Sequence, residues 1–248
     1  MERRNSCMTA KDHSLNQNYS ETFYADHAER YAEVAHEYRQ SIYLESSHPL
    51  LKGDLDLQTR VKQLIPPPAR GLDAGCGAGA RDVYALWQAG YEMWGIDAVA
   101  ENVRVAHHWH PEIQDRVTVH DLRDRLPFAD HAFDIVMCNA VIQHIDPDRV
   151  YDTVLPELVR VLRPGGILQL MFKSGNGVAT LYDKDYGAYR SFQLFDGEQI
   201  LKRLQDQGMN LIAAEQDALG GVMWFVDPKH SRHCAMLLRK GAHSKLLQ

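Results

Sequence analysis

The stretch Leu72-Asp73-Ala74-Gly75-Cys76-Gly77-Ala78-Gly79 sets three glycines at alternate positions behind a carboxylate. Residues without a Cβ let a backbone turn sharply and approach a ligand closely. The loop follows an extended run, Ala69 to Leu72, and leads into a helical pattern from Ala80 to Gln88. The first N–H groups of that helix have no partner within it and point back at the loop. Such a loop suits a nucleotide-like ligand. Its spacing is Gly-x-Gly-x-Gly, whereas a dinucleotide fingerprint reads Gly-x-Gly-x-x-Gly. Asp73 would repel a pyrophosphate and attract an amine or a sulfonium; it is equally able to accept from loop N–H groups.

Three further polar residues fall where a ligand would need them. Tyr91 to Asp97 reads as a second strand ending in Asp97, and Arg116 to Asp121 as a third ending in Asp121, with Asp124 a rival for its role. Phe133 to Asn139 reads as a buried fourth strand, and Val161 to Leu170 as a helix end, a Pro-Gly-Gly turn and a fifth strand. Strand and helix alternate from Ala69 to Phe172, which predicts a parallel sheet with right-handed crossovers and helices on both faces. Ligands bind at the carboxyl ends of such strands, where Asp73, Asp97, Asp121 and Asn139 all fall. For Asp97 and Asn139 the alternative is a helix N-cap.

Other elements flank this core. Tyr24, Ala28, Tyr31, Ala35 and Tyr38 recur at helical spacing and predict one amphipathic helix over Glu21 to Gln40. His48 to Ile65 reads as another helix, stopped by Pro66-Pro67-Pro68. The stretch 173–195 is rich in Gly, Tyr and Asp and reads as an insertion or lid. Asp196 opens a helix that Gly208 ends. Asn210 to Ala218 and His233 to Leu238 read as a final strand pair, with Trp224 and Phe225 as pocket wall or core.

Taken in order, Asp73/Gly75/Gly77/Gly79, Asp97, Asp121, Phe133 to Asn139 and Leu162 to Gly166 resemble the motif series of class I S-adenosylmethionine (SAM)-dependent methyltransferases. The match covers about Arg70 to Phe172. The approach Leu126-Pro127-Phe128-Ala129-Asp130 is similar to that of the small-molecule group containing ubiquinone and menaquinone methyltransferases. The resemblance implies an α/β, doubly wound, Rossmann-like sheet of seven strands, mostly parallel with an antiparallel last strand, plus an N-terminal helical cap. It implies SAM as cofactor and S-adenosylhomocysteine (SAH) as its product. Asp73, Gly75, Cys76, Gly77 and Gly79 would line the cofactor. Asp97 with Ala98 would take the ribose, Asp121 with Leu122 the adenine, and Asn139 with Ala140 the methionine moiety. His144 stands where relatives often carry a histidine and is the candidate base, or a structural residue near a helix end. Tyr24 and Tyr31, on a segment resembling the cap, and Lys173, Tyr189 and Arg190, in the lid, are the candidate substrate contacts. The expected acceptor is a small molecule, methylated on O or N, with C close behind. No Asp/Asn-Pro-Pro-Tyr/Phe follows the fourth strand, which disfavours exocyclic amines of bases and glutamine amides.

The chain has 248 residues, a net charge of -6 and 45% hydrophobic content. That suits a SAM-binding domain over 66–240 with the cap at 19–65, and disordered tails at 1–18 and 241–248. The acidic balance disfavours nucleic acid, whose phosphates need clustered Lys and Arg. No apolar run nears the roughly 20 residues that span a bilayer, so no membrane role is expected. Cys7, Cys76, Cys138 and Cys234 are scattered, which points to a reducing cytoplasm rather than a disulfide framework. Neither His107/His108/His110 nor His230/His233/Cys234 has zinc-ligand spacing, so no metal is expected. A monomer or homodimer is expected. An RNA or protein methyltransferase, a SAM-binding regulatory protein without methyl transfer, and an NAD-dependent oxidoreductase are the alternatives.

Overall fold

The computed structural model describes residues 17–242; most of both expected tails lies outside them. The helices are α1 (Gln17–Asp26), α2 (Ala28–Tyr38), α3 (Asp54–Leu64), α4 (Arg81–Gln88), α5 (Ala100–Trp109), α6 (Pro147–Arg149), α7 (Leu155–Val161) and α8 (Gly197–Asp206). The strands are β1 (Glu45–Ser46), β2 (Arg70–Ala74), β3 (Glu92–Asp97), β4 (Val117–Val119), β5 (Phe133–Asn139), β6 (Leu162–Lys173), β7 (Val178–Asp183), β8 (Ala188–Gln193), β9 (Met209–Leu211), β10 (Val222–Val226) and β11 (Arg232–Lys240).

The main sheet runs β1-β10-β11-β6-β5-β2-β3-β4, with β9 also on β11. β4, β3, β2, β5 and β6 pair in parallel. β11 pairs antiparallel with β6, β10 and β9. The doubly wound sheet with a reversed last strand is therefore present, carrying nine strands among the described residues rather than seven. The two extra strands are the short edge pieces β1 and β9. Besides β6, the long partner of β11 is β10, not Asn210 to Ala218, of which only the first two residues join β9. In Val222-Met223-Trp224-Phe225-Val226 the residues Met223 and Phe225 are buried, so alternation fits this run to the sheet.

Alternation also divides the core. Leu72, Val136, Cys138, Leu170 and Met236 pack on one face with α7 and α8. Met93, Ile135, Met137, Met171 and Leu237 pack on the other with α3 and α4. Continuous apolar strands such as β5 are what a sheet covered on both faces requires.

Three further elements depart from expectation. The helix expected over His48 to Ile65 begins only at Asp54, behind an extended Gly53. The helix over Glu21 to Gln40 breaks at His27 (φ -121°, ψ 18°) into α1 and α2. The Pro164-Gly165-Gly166 turn lies inside β6 as a bulge: Phe133 faces Leu162, yet Ile135 already faces Ile167. The segment 173–195 contains the β7–β8 hairpin, a separate two-stranded sheet. Asp196 caps α8 by accepting from the N–H groups of Glu198 and Gln199. No helix among the described residues is long and apolar enough to cross a membrane.

Candidate functional site

The glycine loop links β2 to α4. Gly75 and Gly77 have φ of +91° and +65°. A Cβ on Gly75 would stand 2.3 Å from Val141 Cγ2, and one on Gly77 would stand 2.9 Å from the Tyr31 ring. Both positions therefore need glycine for conformation and for space. Gly75 and Cys76 donate backbone N–H to Ile96 O at 2.8 and 2.9 Å. Ala28 and Ala32 of α2 pack with Ala78 and Val105, with Tyr31 and Trp109 beside them, which sets α2 over the loop.

Two cavities adjoin this loop. The smaller, of about 90 Å³, is lined by Ser20, Glu21, Asp97, Ala98, Asp121, Leu122 and His144, among others. The larger, of about 220 Å³, is lined by Asp73, Cys76, Asn139, Gln143, Lys173 and Arg190 among others. Tyr24, Tyr31, Gly75 and Ala140 line both. Gly77 and Gly79 shape the loop without lining either.

Asp97 ends β3 with 9% of its surface exposed. Its Oδ2 accepts from Gly77 N at 2.9 Å, and its Oδ1 from Val99 N at 2.9 Å and Asn102 Nδ2 at 3.1 Å. Burial raises its pKa, opposed by these hydrogen bonds. A carboxylate has about four acceptor sites, so capacity is left for a ligand donor. Asp121 lies two residues beyond β4, where Arg123 donates to both its oxygens. Burial pushes its pKa up, but the Arg123 contacts outweigh it and hold Asp121 below the usual range. Asp121 lines the cavity and Asp124 does not.

Asp73 is 4% exposed on β2. Burial, reinforced by Asp82, holds its carboxyl well above the usual range. Burial likewise raises the Cys76 thiol, with Asp97 and Asp73 adding to it, so Cys76 is not an activated thiolate. Asn139 Oδ1 accepts from Gln169 Nε2 at 3.0 Å, so its side chain bonds across the sheet instead of capping a helix. Ala140 follows with φ of +59°, a conformation rare outside glycine, where the chain leaves β5 between the cavities.

His144 closes a 3₁₀ turn, Ile142–His144. Its Nδ1 lies 3.0 Å from Ser20 Oγ and its Nε2 3.2 Å from Tyr24 OH. Burial, then Arg190 and Lys173, lower its pKa to about 3, so the ring is neutral. Tyr24 OH also accepts from Arg190. Arg190 donates to Asp183 Oδ2 at 2.9 Å and lies 4.9 Å from the Phe23 and Tyr24 ring centres.

Lys173 ends β6 with 8% of its surface exposed, its ammonium 4.7 Å from the Phe192 ring centre. Burial lowers its pKa to about 8. Tyr189 is the exception among the expected contacts. It is 65% exposed, lines neither cavity, and meets Tyr182 with ring centres 5.2 Å apart. Side chains alternate along a strand, so turning Arg190 inward turns Tyr189 outward.

Phe225, one of the two expected wall residues, lines the larger cavity and Trp224 does not; Arg81, Tyr43, Phe192, Asp227, Lys229 and His233 join the same wall without a signal in the sequence. His233 Nε2 meets Asp227 Oδ2 at 3.0 Å, and the ring stacks on Phe225 at 4.9 Å. The register of β10, β11 and β6 brings three of the wall residues together: His233 faces Lys173 on one side and Phe225 on the other. Among the described residues no group of three His, Cys, Asp or Glu side chains could hold a metal ion.

Comparison with known proteins adds a family-level observation. A family model described as "Methyltransferase domain" matches residues 72–170. Trans-aconitate 2-methyltransferase of Azoarcus sp. (strain BH72) is 34% identical over 134 residues, covering 52% of this chain and 47% of that protein. The chain therefore spans less than half of that relative. Among solved structures, the [4+2]-cyclase SpnF has a TM-score of 0.64 at 18% identity, covering 93% of this chain and 98% of that one. A 1,6-didemethyltoxoflavin-N1-methyltransferase of Burkholderia thailandensis, solved with its substrate and SAH, has a TM-score of 0.59 at 18% identity, covering 92% and 91%. At such identities these likenesses concern the fold.

Proposed function

Because residues 72–170 are a class I SAM-dependent methyltransferase domain, we propose that the chain transfers a methyl group from SAM to a small-molecule acceptor. The observation that carries this is the joining of the two cavities at Tyr24, Tyr31, Gly75 and Ala140. One cavity presents acidic strand ends, and the other an aromatic wall.

The residues present fit the cofactor. Asp97, with Ala98, would take the ribose hydroxyls, and Asp121, with Leu122, the adenine. Asp73, Asn139 and Ala140 would meet the methionine part, along a loop formed by Gly75, Cys76, Gly77 and Gly79. When bound, SAM supplies an electrophilic methyl and leaves as a neutral thioether, which needs no proton. The chain's own work is alignment and exclusion of water. His144, through Tyr24, holds the wall between the cavities. Both its ring nitrogens already have partners, so it would serve as base only after releasing one of them.

Tyr24, Tyr31, Lys173 and Arg190 are proposed acceptor-side residues. The segment 19–65 is proposed as the cap and 173–195 as the lid of a domain over 66–240. A cytoplasmic setting, as monomer or homodimer and without nucleic acid, fits the acidic balance and the free Cys76, Cys138 and Cys234. A second reading, SAM binding without methyl transfer, is favoured by the fold likeness to a chain described as a cyclase. Calorimetric titration with SAM, SAH and NAD tests the cofactor. Binding of both adenosyl compounds, but not of NAD, is expected; preference for NAD overturns the reading. SAH release with an acceptor panel then separates the two readings.

A further inference from the structure

Arg123 stands between two carboxylates, Asp121 and Glu21, and all three residues line the smaller cavity. Its backbone N–H donates to Asp121 Oδ1 at 2.8 Å, its Nε to the two oxygens at 2.9 and 2.8 Å, and its Nη2 to Oδ2. The same Nη2 donates to Glu21 Oε1. Asp121 lies just beyond β4, whereas Glu21 belongs to α1. One guanidinium therefore ties α1 to the loop after β4. Ser20 and Tyr24 of the same helix meet His144, which also lines the cavity.

Both ion pairs are partly exposed, and pairs of that kind hold weakly. Asp121 is also where an adenine amine would donate. The amine and Arg123 then compete for the same two oxygens. What Asp121 gives up of Nη2, Glu21 gains. We propose that Arg123 is a clasp that responds to the adenine amine: a base seated on Asp121 shifts the guanidinium toward Glu21 and tightens α1 over the smaller cavity. This rests on the methyltransferase reading above. A guanidinium suits the task, because its donors lie in one plane and serve two carboxylates at once. Linkage requires the converse as well. Glu21 must favour ligands that carry the amine, by the same factor with which the amine favours the Arg123–Glu21 contact. Arg123 and Glu21 are thus positioning residues.

The test titrates the full chain by calorimetry with SAH and with its 6-deamino analogue, in which hydrogen replaces the adenine amino group. Glu21→Gln should weaken SAH binding about three- to fivefold, the size of a partly exposed ion pair. Affinity for the analogue should stay within about twofold, as uncoupled changes do. In an Arg123→Met background, adding Glu21→Gln should change neither affinity further. Amide exchange supplies a second readout. Saturating SAH should slow exchange over residues 20–26 of α1 more than the saturating analogue does, and Glu21→Gln should erase that difference.

Equal losses for SAH and the analogue would make the Arg123–Glu21 pair a structural contact and overturn the proposal. A Glu21→Gln effect that survives Arg123→Met would mean that Glu21 touches the base itself, which also overturns it. Equal affinity of the native chain for the two ligands would remove the amine from Asp121 and the clasp with it, and leave the methyltransferase reading standing. Failure to bind SAH overturns that reading itself, and the clasp that rests on it.

Discussion

Asp97 serves the protein and the proposed ligand with one carboxylate. Three protein donors hold it: Gly77 N, Val99 N and Asn102 Nδ2. Hydrogen bonds to charged groups contribute about 1.5–3 kcal/mol each. Asp97→Ala should therefore raise the SAM dissociation constant at least about tenfold, through lost ribose contacts and a loosened loop. Calorimetry checks this, and an unchanged constant would remove Asp97 from the ribose site. His144 makes a different prediction. Its folded pKa of about 3 lies below the ordinary histidine value. Folding thus holds it neutral, and its contribution to stability is complete above pH 6.5 and lost as pH falls from there toward 3. Each pH unit in that window costs about 1.4 kcal/mol. Denaturation at pH 4 and pH 7 should show this loss in the native chain and less of it in His144→Gln. In kinetics, His144→Ala should leave SAM affinity nearly intact and lower turnover. Equal turnover would remove His144 from the proposed machinery. The placement of Asp97 at the end of β3 and of His144 beyond β5 was legible from the apolar strands before them. The outward turn of Tyr189 was not, because the phase of a hairpin strand depends on what it packs against.

At the scale of elements, the glycine loop is the most constrained piece. Gly77→Ala would place a Cβ against Tyr31 at a φ of +65°. The left-handed conformation alone costs about 1–2 kcal/mol. The expected outcome is a lower melting temperature together with weaker SAM binding, since Tyr31 must also move. The β7–β8 hairpin depends instead on charge. Arg190 ties it to Tyr24 of α1, and Asp183 joins Arg190 to Lys229. Removing one member of a buried ion pair typically costs about 3–5 kcal/mol. Arg190→Met should accelerate amide exchange across 178–193 while β5 and β6 keep their protection; a uniform change would show that the hairpin is not an independent unit. β5 was readable to the residue, because an apolar run such as Ile135 to Cys138, with Phe133 before it and buried on both faces, has few alternatives. β10 was not. Its pairing is long-range, and nothing local marks it rather than Asn210 to Ala218 as the neighbour of β11.

For the whole molecule, the parallel half of the sheet was legible from the chain's own alternation, whereas in the antiparallel half the strand β11 was legible and its neighbour β10 was not, and the candidate site divides in a similar way. Asp73, Asp97, Asp121 and Asn139 sit at ends of parallel strands, where alternation of strand and helix leaves one arrangement. His233, Asp227 and Phe225 reach the same edge only because β11 runs backwards, with His233 opposite Lys173. Spacing along the chain carries no trace of that register.

The roof of the smaller cavity comes from α1, through Ser20, Glu21 and Tyr24. Ser20 and Tyr24 grip His144 beneath them. Where the lifting of this helix sets the rate of adenosyl release, a slow step follows the chemistry. The first turnover should be faster than those that follow, and a rapid-quench trace should show a burst of one product per site before the steady rate.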